Sequence, residues 1–243
     1  FILNITWIDA QWFCAWLNTQ TYLQSGDGVY IYRLPTEREL IQVRSFLSEN
    51  SKILPWTSSP DIPGNALRVV RVKIESQYRS LVSFLSNGRW KEADQETEKL
   101  MLKLAGRSDE NHLTVDSLKQ FPGEDLELID QLWLKFSGGK FGFSVQTKLW
   151  LEFEGKLDFG EDRDAAIRVF RRLSDQNRWR VKREWLKYSA LDFSMNAPSA
   201  HLPTLYGACR VMPPANLGQA WIGWCAVLSR LNACTSSHSP SSS

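Results

Sequence analysis

Apolar residues recur along this chain at the period of amphipathic helices. Tyr78, Leu81, Val82 and Leu85 follow i, i+3, i+4, i+7 and predict a helix that Asn87-Gly88 ends. Ala93, Thr97, Leu100, Met101 and Leu104 predict a second, closed by Gly106; Leu126, Ile129, Trp133 and Phe136 predict a third, closed by Gly138-Gly139. Val145, Leu149 and Phe153 predict a fourth, with Ser144 as N-cap, and Ala166, Val169, Phe170 and Leu173 a fifth. Near the start, Ile8, Trp12 and Trp16 with Phe13 and Leu17 predict one amphipathic helix, and Val29-Tyr30-Ile31-Tyr32 a short strand. Asn177 to Pro203 has no clear period. Trp221, Ile222, Trp224, Val227 and Leu228 suffice for a short helix.

Turn-forming residues divide the chain. Asn50, Ser51, Pro55, Ser58, Ser59, Pro60, Pro63 and Gly64 predict a linker over 50–75, and Ser236–Ser243 is a Ser-rich tail that cannot build a core. The expected organisation is a segment 1–49, the linker 50–75, a helical domain 76–210 and a C-terminal extension 211–243. Phe1 in place of Met reads as the start of a piece of something longer.

Composition narrows the class. At 43% apolar and 23% charged, the 243 residues exclude collagen, low complexity and global disorder. No apolar run reaches the length of a membrane span. Four cysteines are too sparse for a disulfide framework and too far apart for a zinc pattern. A metalloprotease HExxH, a CxxC pair, a Gly-rich phosphate loop and a GxSxG elbow are all missing from the sequence. His201, between Ala200 and Leu202-Pro203, reads as a structural histidine bonded to a turn.

Charge is uneven behind a net of +2. Residues 91–130 hold 5 Lys/Arg against 11 Asp/Glu, and residues 163–187 hold 9 against 3. Two solvated helix faces are the plain reading. Within the basic stretch, Arg178, Trp179, Arg180, Lys182, Arg183, Trp185, Lys187 and Tyr188 interleave cations with flat rings. That pattern suits a flat ligand with anionic edges, or single-stranded nucleic acid, or a loop whose tryptophans fill the core.

Three strings weigh on that choice: WKEADQET at Trp90–Thr97, FPGEDLELIDQLWLKFSGGKFGFSVQ at Phe121–Gln146 and NAPSAHLP at Asn196–Pro203. In order and spacing they resemble the Genomes Uncoupled Four family over about 77–210. The resemblance implies a mainly α, small helical domain shaped like a cupped hand. It implies non-catalytic binding of a porphyrin, protoporphyrin IX or its magnesium form, and regulation of magnesium chelatase through its large subunit. It also implies a cyanobacterial-type cytoplasmic or a plastid setting, where peripheral membrane association is open. A porphyrin sensor within a signalling protein is the other role it leaves open.

Site residues follow where the motifs align. Leu118 matches an apolar pocket position, Phe193 an aromatic one and Leu191 one usually aromatic. Tyr188 falls near a loop tryptophan, and Arg210 near a basic residue that meets propionate groups. Val211-Met212-Pro213-Pro214 stands where a second Arg is expected, so the expectation is either weaker carboxylate anchoring or anchoring by Arg178, Arg180 or Arg183. Trp179 and Trp185 lie in the basic loop beside the inferred palm. The same resemblance assigns Trp90, Trp133 and Trp150 to the core, and makes Phe141-Gly142-Phe143 a tight turn whose rings point inward.

A shorter resemblance covers the start. NITWIDAQWFCAWL at Asn4–Leu17 and YRLPTERE at Tyr32–Glu39 look like part of the formylglycine-generating (sulfatase-modifying factor) family. It implies a truncated α+β, C-type-lectin-like segment. That family's catalytic cysteines and calcium ligands follow RLPTE, and the chain leaves the pattern by about Arg44, so Cys14 reads as structural. The expected function is porphyrin binding without catalysis; a formylglycine-type oxidase fragment and a nucleic-acid module are the alternatives.

Overall fold

The structure is a computed structural model that describes residues 13, 14, 17, 30–33, 35, 69–157, 162–207 and 217–236. The chain divides into two compact units, residues 1–76 with 235–243, and residues 77–234. Most of 1–49, and with it most of the formylglycine-generating-like motif, lies outside the described residues. Of that segment, Phe13, Cys14 and Leu17 are helical and Cys14 is buried. The predicted strand forms as β1 (Tyr30–Arg33), antiparallel to β2 (Val70–Lys73), with Tyr30 opposite Lys73. The expected linker 50–75 therefore ends in a strand. Val70 and Val72 alternate with Arg71 and Lys73, a period of two that turn residues upstream obscured.

The second unit is helical: α1 (Arg79–Ser86), α2 (Trp90–Leu104), α3 (Val115–Lys119), α4 (Gly123–Ser137), α5 (Phe143–Glu152), α6 (Arg163–Gln176) and α7 (Leu217–Ser236). A two-stranded hairpin, β3 (Arg180–Val181) and β4 (Glu184–Trp185), follows α6. Its turn residues Lys182 and Arg183 have φ of 51° and 71°. The fold is mainly α, as the periodicity predicts. The stripes predicted for α1, α2, α4 and α6 are those that supply the buried Leu81, Ala93, Ile129 and Phe170. The short α3, too brief for a period to show, carries its own signal in Thr114 and Ser117. Each side chain caps the other's backbone N–H.

Helix α5 departs from its prediction. Val145, Leu149 and Phe153 are only half-buried, and Phe143, Gln146, Thr147 and Trp150 face the core. The polar pair is satisfied there. Gln146 Nε2 donates to the Pro203 carbonyl (2.7 Å), its Oε1 accepts from Trp224 Nε1 (2.7 Å), and Thr147 Oγ1 donates to the Phe143 carbonyl (2.8 Å). Nor does Ser144 cap the helix. Its backbone N–H donates to Oδ1 of Asp130 on α4 (2.9 Å), so a neighbouring helix supplies the carboxylate that satisfies the first turn. Burial pushes the Asp130 carboxyl up to about 6.

Gly142 makes that approach possible. Its φ is 144°, and a Cβ there would stand 2.8 Å from Asp130 Oδ1. We expect Gly142→Ala to cost about 2 kcal/mol or more through backbone strain and displacement of Asp130, read as a lower urea midpoint at unchanged slope.

Two aromatic clusters organise the core. Trp90, Trp133 and Phe141 meet at centroid distances of 5.5 to 6.4 Å, and Trp133 Nε1 donates to Thr97 Oγ1 (2.9 Å). Trp224 of α7 meets Trp150 (5.5 Å), Phe170 (5.3 Å) and Trp179 (6.0 Å). Helix α7 completes the second core, and Arg230 Nε ties it to the Phe121 carbonyl (2.7 Å).

Candidate functional site: an aromatic shelf on helix α2

The irregular stretch after α6 is held by side chains bonding to backbone. His201 is fully buried. Its Nε2 accepts from the Asp192 N–H (3.2 Å), which leaves Nδ1 as the protonated nitrogen donating to the Asn177 carbonyl. Burial holds the imidazole below its ordinary pKa, so the ring works as a neutral clamp between two loops. The expectation of a structural histidine holds.

These constraints place three rings together. Tyr188, in a 3-10 turn (Tyr188–Ala190), lies 5.1 Å from Phe193 and 5.2 Å from Tyr206, centroid to centroid. All three are half-buried. Lys91, exposed in the first turn of α2, brings Nζ to 6.0 Å from the Tyr188 ring and 5.9 Å from the Phe193 ring.

Beneath the rings lies a buried carboxylate. Asp94 Oδ1 accepts from the Thr204 N–H (2.6 Å). Its Oδ2 accepts from Thr204 Oγ1 (2.8 Å) and from the Tyr188 hydroxyl (3.0 Å). One side chain of α2 thus ties down both ends of the ring-bearing stretch. Glu98, one turn on, accepts from the Gly207 N–H (3.2 Å). Burial pushes the Asp94 carboxyl up to about 6 against the pull of its three donors. Burial and the Asp94 charge raise the Tyr188 phenol well above its ordinary value, so it stays a donor at neutral pH.

Of the sequence-predicted residues, Tyr188 and Phe193 are brought together on this shelf. Leu191, between them, is buried. Leu118 and Trp179 need correction. Leu118 is 1% exposed on the inward face of α3, and Trp179 is 0% exposed, with Nε1 donating to the His201 carbonyl (2.8 Å). Neither offers surface to a ligand. Trp185 stacks on Phe170 (5.5 Å), and Arg183 is exposed at the hairpin turn. Arg180 is engaged by both oxygens of Asp175 (2.7 and 2.8 Å). Arg210 lies outside the described residues.

The sequence alone does not single out Lys91, Asp94 or Tyr206. The first two sit inside the WKEADQET string, and Lys91, Asp94 and Glu98 at i, i+3, i+7 share one helix face. That spacing is a legible signal. Tyr206 gives none, since it reaches the shelf through the flanking ties of Thr204 to Asp94 and Gly207 to Glu98.

The family model described as GUN4-like matches residues 71–214, more than half of the chain and every shelf residue. The chain belongs to the GUN4-like family. In this GUN4-like chain α7 lies beyond the matched residues, although Trp224 fills the core. A ycf53 protein of Porphyra purpurea is 38% identical over 119 residues, 47% of this chain and 48% of the relative. The tetrapyrrole-binding protein of Arabidopsis thaliana, a chloroplast protein, is 34% identical over 109 residues, 44% of this chain and 34% of the relative. The GUN4-like chain thus spans between a third and a half of the length of these relatives. The ligand-free structure of Arabidopsis thaliana GUN4 is 24% identical, with a TM-score of 0.49 over 63% of this chain and 95% of that one. Among the described residues no helix is long and apolar enough to cross a membrane.

Proposed function

We propose that the shelf of Tyr188, Phe193 and Tyr206 binds a tetrapyrrole non-covalently and that the chain performs no chemistry on it. The observation that carries this reading is the half-buried ring cluster with a cation at its edge. Flat rings supply apolar area worth about 25 cal/mol for each Å² removed from water, and an ammonium suits the acidic rim of such a ligand. Membership of the GUN4-like family and the name of the Arabidopsis thaliana relative support the same ligand class. The groups beside the shelf are poorly placed for acid–base work: Asp94 is buried under three donors and His201 is a neutral clamp. Protoporphyrin IX or its magnesium form is the proposed ligand. Regulation of magnesium chelatase, or sensing of porphyrin levels, is the proposed role, in a plastid or a cyanobacterial-type cytoplasm. The formylglycine-generating-like strings of residues 1–49 are read as a remnant without oxidase activity.

Titration of the chain with protoporphyrin IX, followed by tryptophan quenching, tests this. Binding at micromolar ligand is expected, and absence of quenching there would sink the proposal. Phe193→Ala should weaken binding about tenfold while leaving the urea midpoint nearly unchanged. Trp90→Ala should instead lower stability by about 3 kcal/mol or more through the cavity it leaves in the core. Equal loss of affinity in both variants, each shown to be folded, would mean that the shelf is not the site.

A further inference from the structure

Three basic side chains of the helical unit are already occupied. Arg180 is held by Asp175, Arg172 stands 4.1 Å from the centre of the Phe153 ring, and Arg89 pairs with Glu92 (2.9 Å). Lys91 differs. It makes no ion pair among the described residues, and Asp94, one turn away on the same helix face, has both oxygens filled by Thr204 and Tyr188. Its Nζ is equidistant, within 0.1 Å, from two ring centroids that are themselves 5.1 Å apart, so the ammonium straddles their seam. At 5.9 and 6.0 Å those contacts are at the outer limit of cation–π attraction and hold the side chain weakly. The first turn of a helix disfavours a cation, so α2 gives it no reason to be there either. The exposed ammonium thus stands beside the rings with no carboxylate in ion-pair contact among the described residues.

We propose that Lys91 reads the carboxylate rim of the ligand and sets the preference of the shelf for acidic over neutral macrocycles. The proposal rests on the tetrapyrrole reading above and gives Lys91 an anchoring role that the sequence reading assigns to Arg210, with Arg178, Arg180 or Arg183 as further candidates. Lys91 supplies a point charge on a four-carbon stem, which can leave the ring seam and meet a carboxylate hanging over the edge of a stacked ring.

The test compares deuteroporphyrin IX with its dimethyl ester, which keeps the macrocycle and caps both carboxylates. Each is titrated against the full chain as wild type, Lys91→Gln and Lys91→Arg. The wild-type chain should bind the acid about tenfold more tightly than the ester, the step expected of one charge-assisted pair. Lys91→Gln should lower affinity for the acid to about that for the ester, with ester binding unchanged, and Lys91→Arg should restore most of the preference. An undiminished preference for the acid in Lys91→Gln would overturn the proposal. So would equal loss for both ligands, which would make Lys91 a support of the rings. Failure of the wild-type chain to bind either porphyrin would overturn the tetrapyrrole reading and this inference with it.

Discussion

Trp179→Ala is expected to lower the stability of the helical unit by about 3–5 kcal/mol, the usual cost of removing a fully buried tryptophan. The ring is 0% exposed, packed against Trp224 (6.0 Å) and Phe170 (6.4 Å), and its Nε1–H is spent on the His201 carbonyl. Truncation opens a cavity where α6, α7 and the hairpin meet and leaves that carbonyl without its donor. A small domain has about 5–15 kcal/mol in all, so the variant should unfold at markedly lower urea. Trp179→Phe separates packing from ligand contact. It keeps an aromatic ring, should cost less than Trp179→Ala, and should bind porphyrin as the wild-type chain does. A folded Trp179→Phe with porphyrin binding lost would return Trp179 to the ligand site.

The second large effect falls on Asp94. Asp94→Ala strands the Thr204 N–H, the Thr204 hydroxyl and the Tyr188 hydroxyl, and should cost on the order of 3 kcal/mol at pH 7, with the shelf loosened as well. Asp94→Asn keeps one acceptor oxygen and removes the charge, so its main effect is on pH dependence. The folded chain raises this carboxyl from 3.8 to about 6. A group raised in this way contributes stability that is fully present below 3.8 and is lost as pH rises through about 6. The wild-type chain should therefore lose on the order of 2–3 kcal/mol from Asp94 between pH 4 and pH 7, and Asp94→Asn should not. Asp130, raised likewise to about 6, acts in the same direction in both proteins. His201, lowered by burial, acts oppositely: its contribution is present above 6.5 and is lost as pH falls below it, again in both proteins. The wild-type minus variant difference, read from urea unfolding at each pH, isolates Asp94. A flat difference across pH 4–7 would show that the carboxyl is not desolvated in the folded chain.

What could be read from the sequence follows from how local each signal is. The stripe Ala93, Thr97, Leu100 and Met101 repeats within one helix and predicts its buried face directly. Helix α5 misled because two of its core positions are polar. Gln146 is buried only because Pro203 and Trp224, 57 and 78 residues away in sequence, satisfy both ends of its amide. A hydrophobic period cannot contain that information. Asp130 capping α5 is the same kind of event, a carboxylate lent by another helix.

The site divides along the same line. Tyr188 and Phe193 could be placed through the NAPSAHLP string, five residues apart within one loop. Trp179 could not be sorted from them, because interleaved rings and cations look alike in a core and in a site until burial is known. Lys91 and Asp94 meet Tyr188 and Thr204 across about a hundred residues of chain, and Tyr206 arrives through long-range ties on either side of it, Thr204 to Asp94 and Gly207 to Glu98. The basic 163–187 stretch contains the hairpin. The cation that reaches the shelf rings comes instead from the acidic stretch 91–130.

The crystal structure of the full chain with deuteroporphyrin IX tests the central claim most directly. The macrocycle should lie in van der Waals contact with Tyr188, Phe193 and Tyr206, with a carboxylate within about 4 Å of Lys91 Nζ and Trp179 still enclosed. A macrocycle seated against Trp185 and Arg183 at the hairpin, or anywhere that leaves the three shelf rings untouched, would contradict the account.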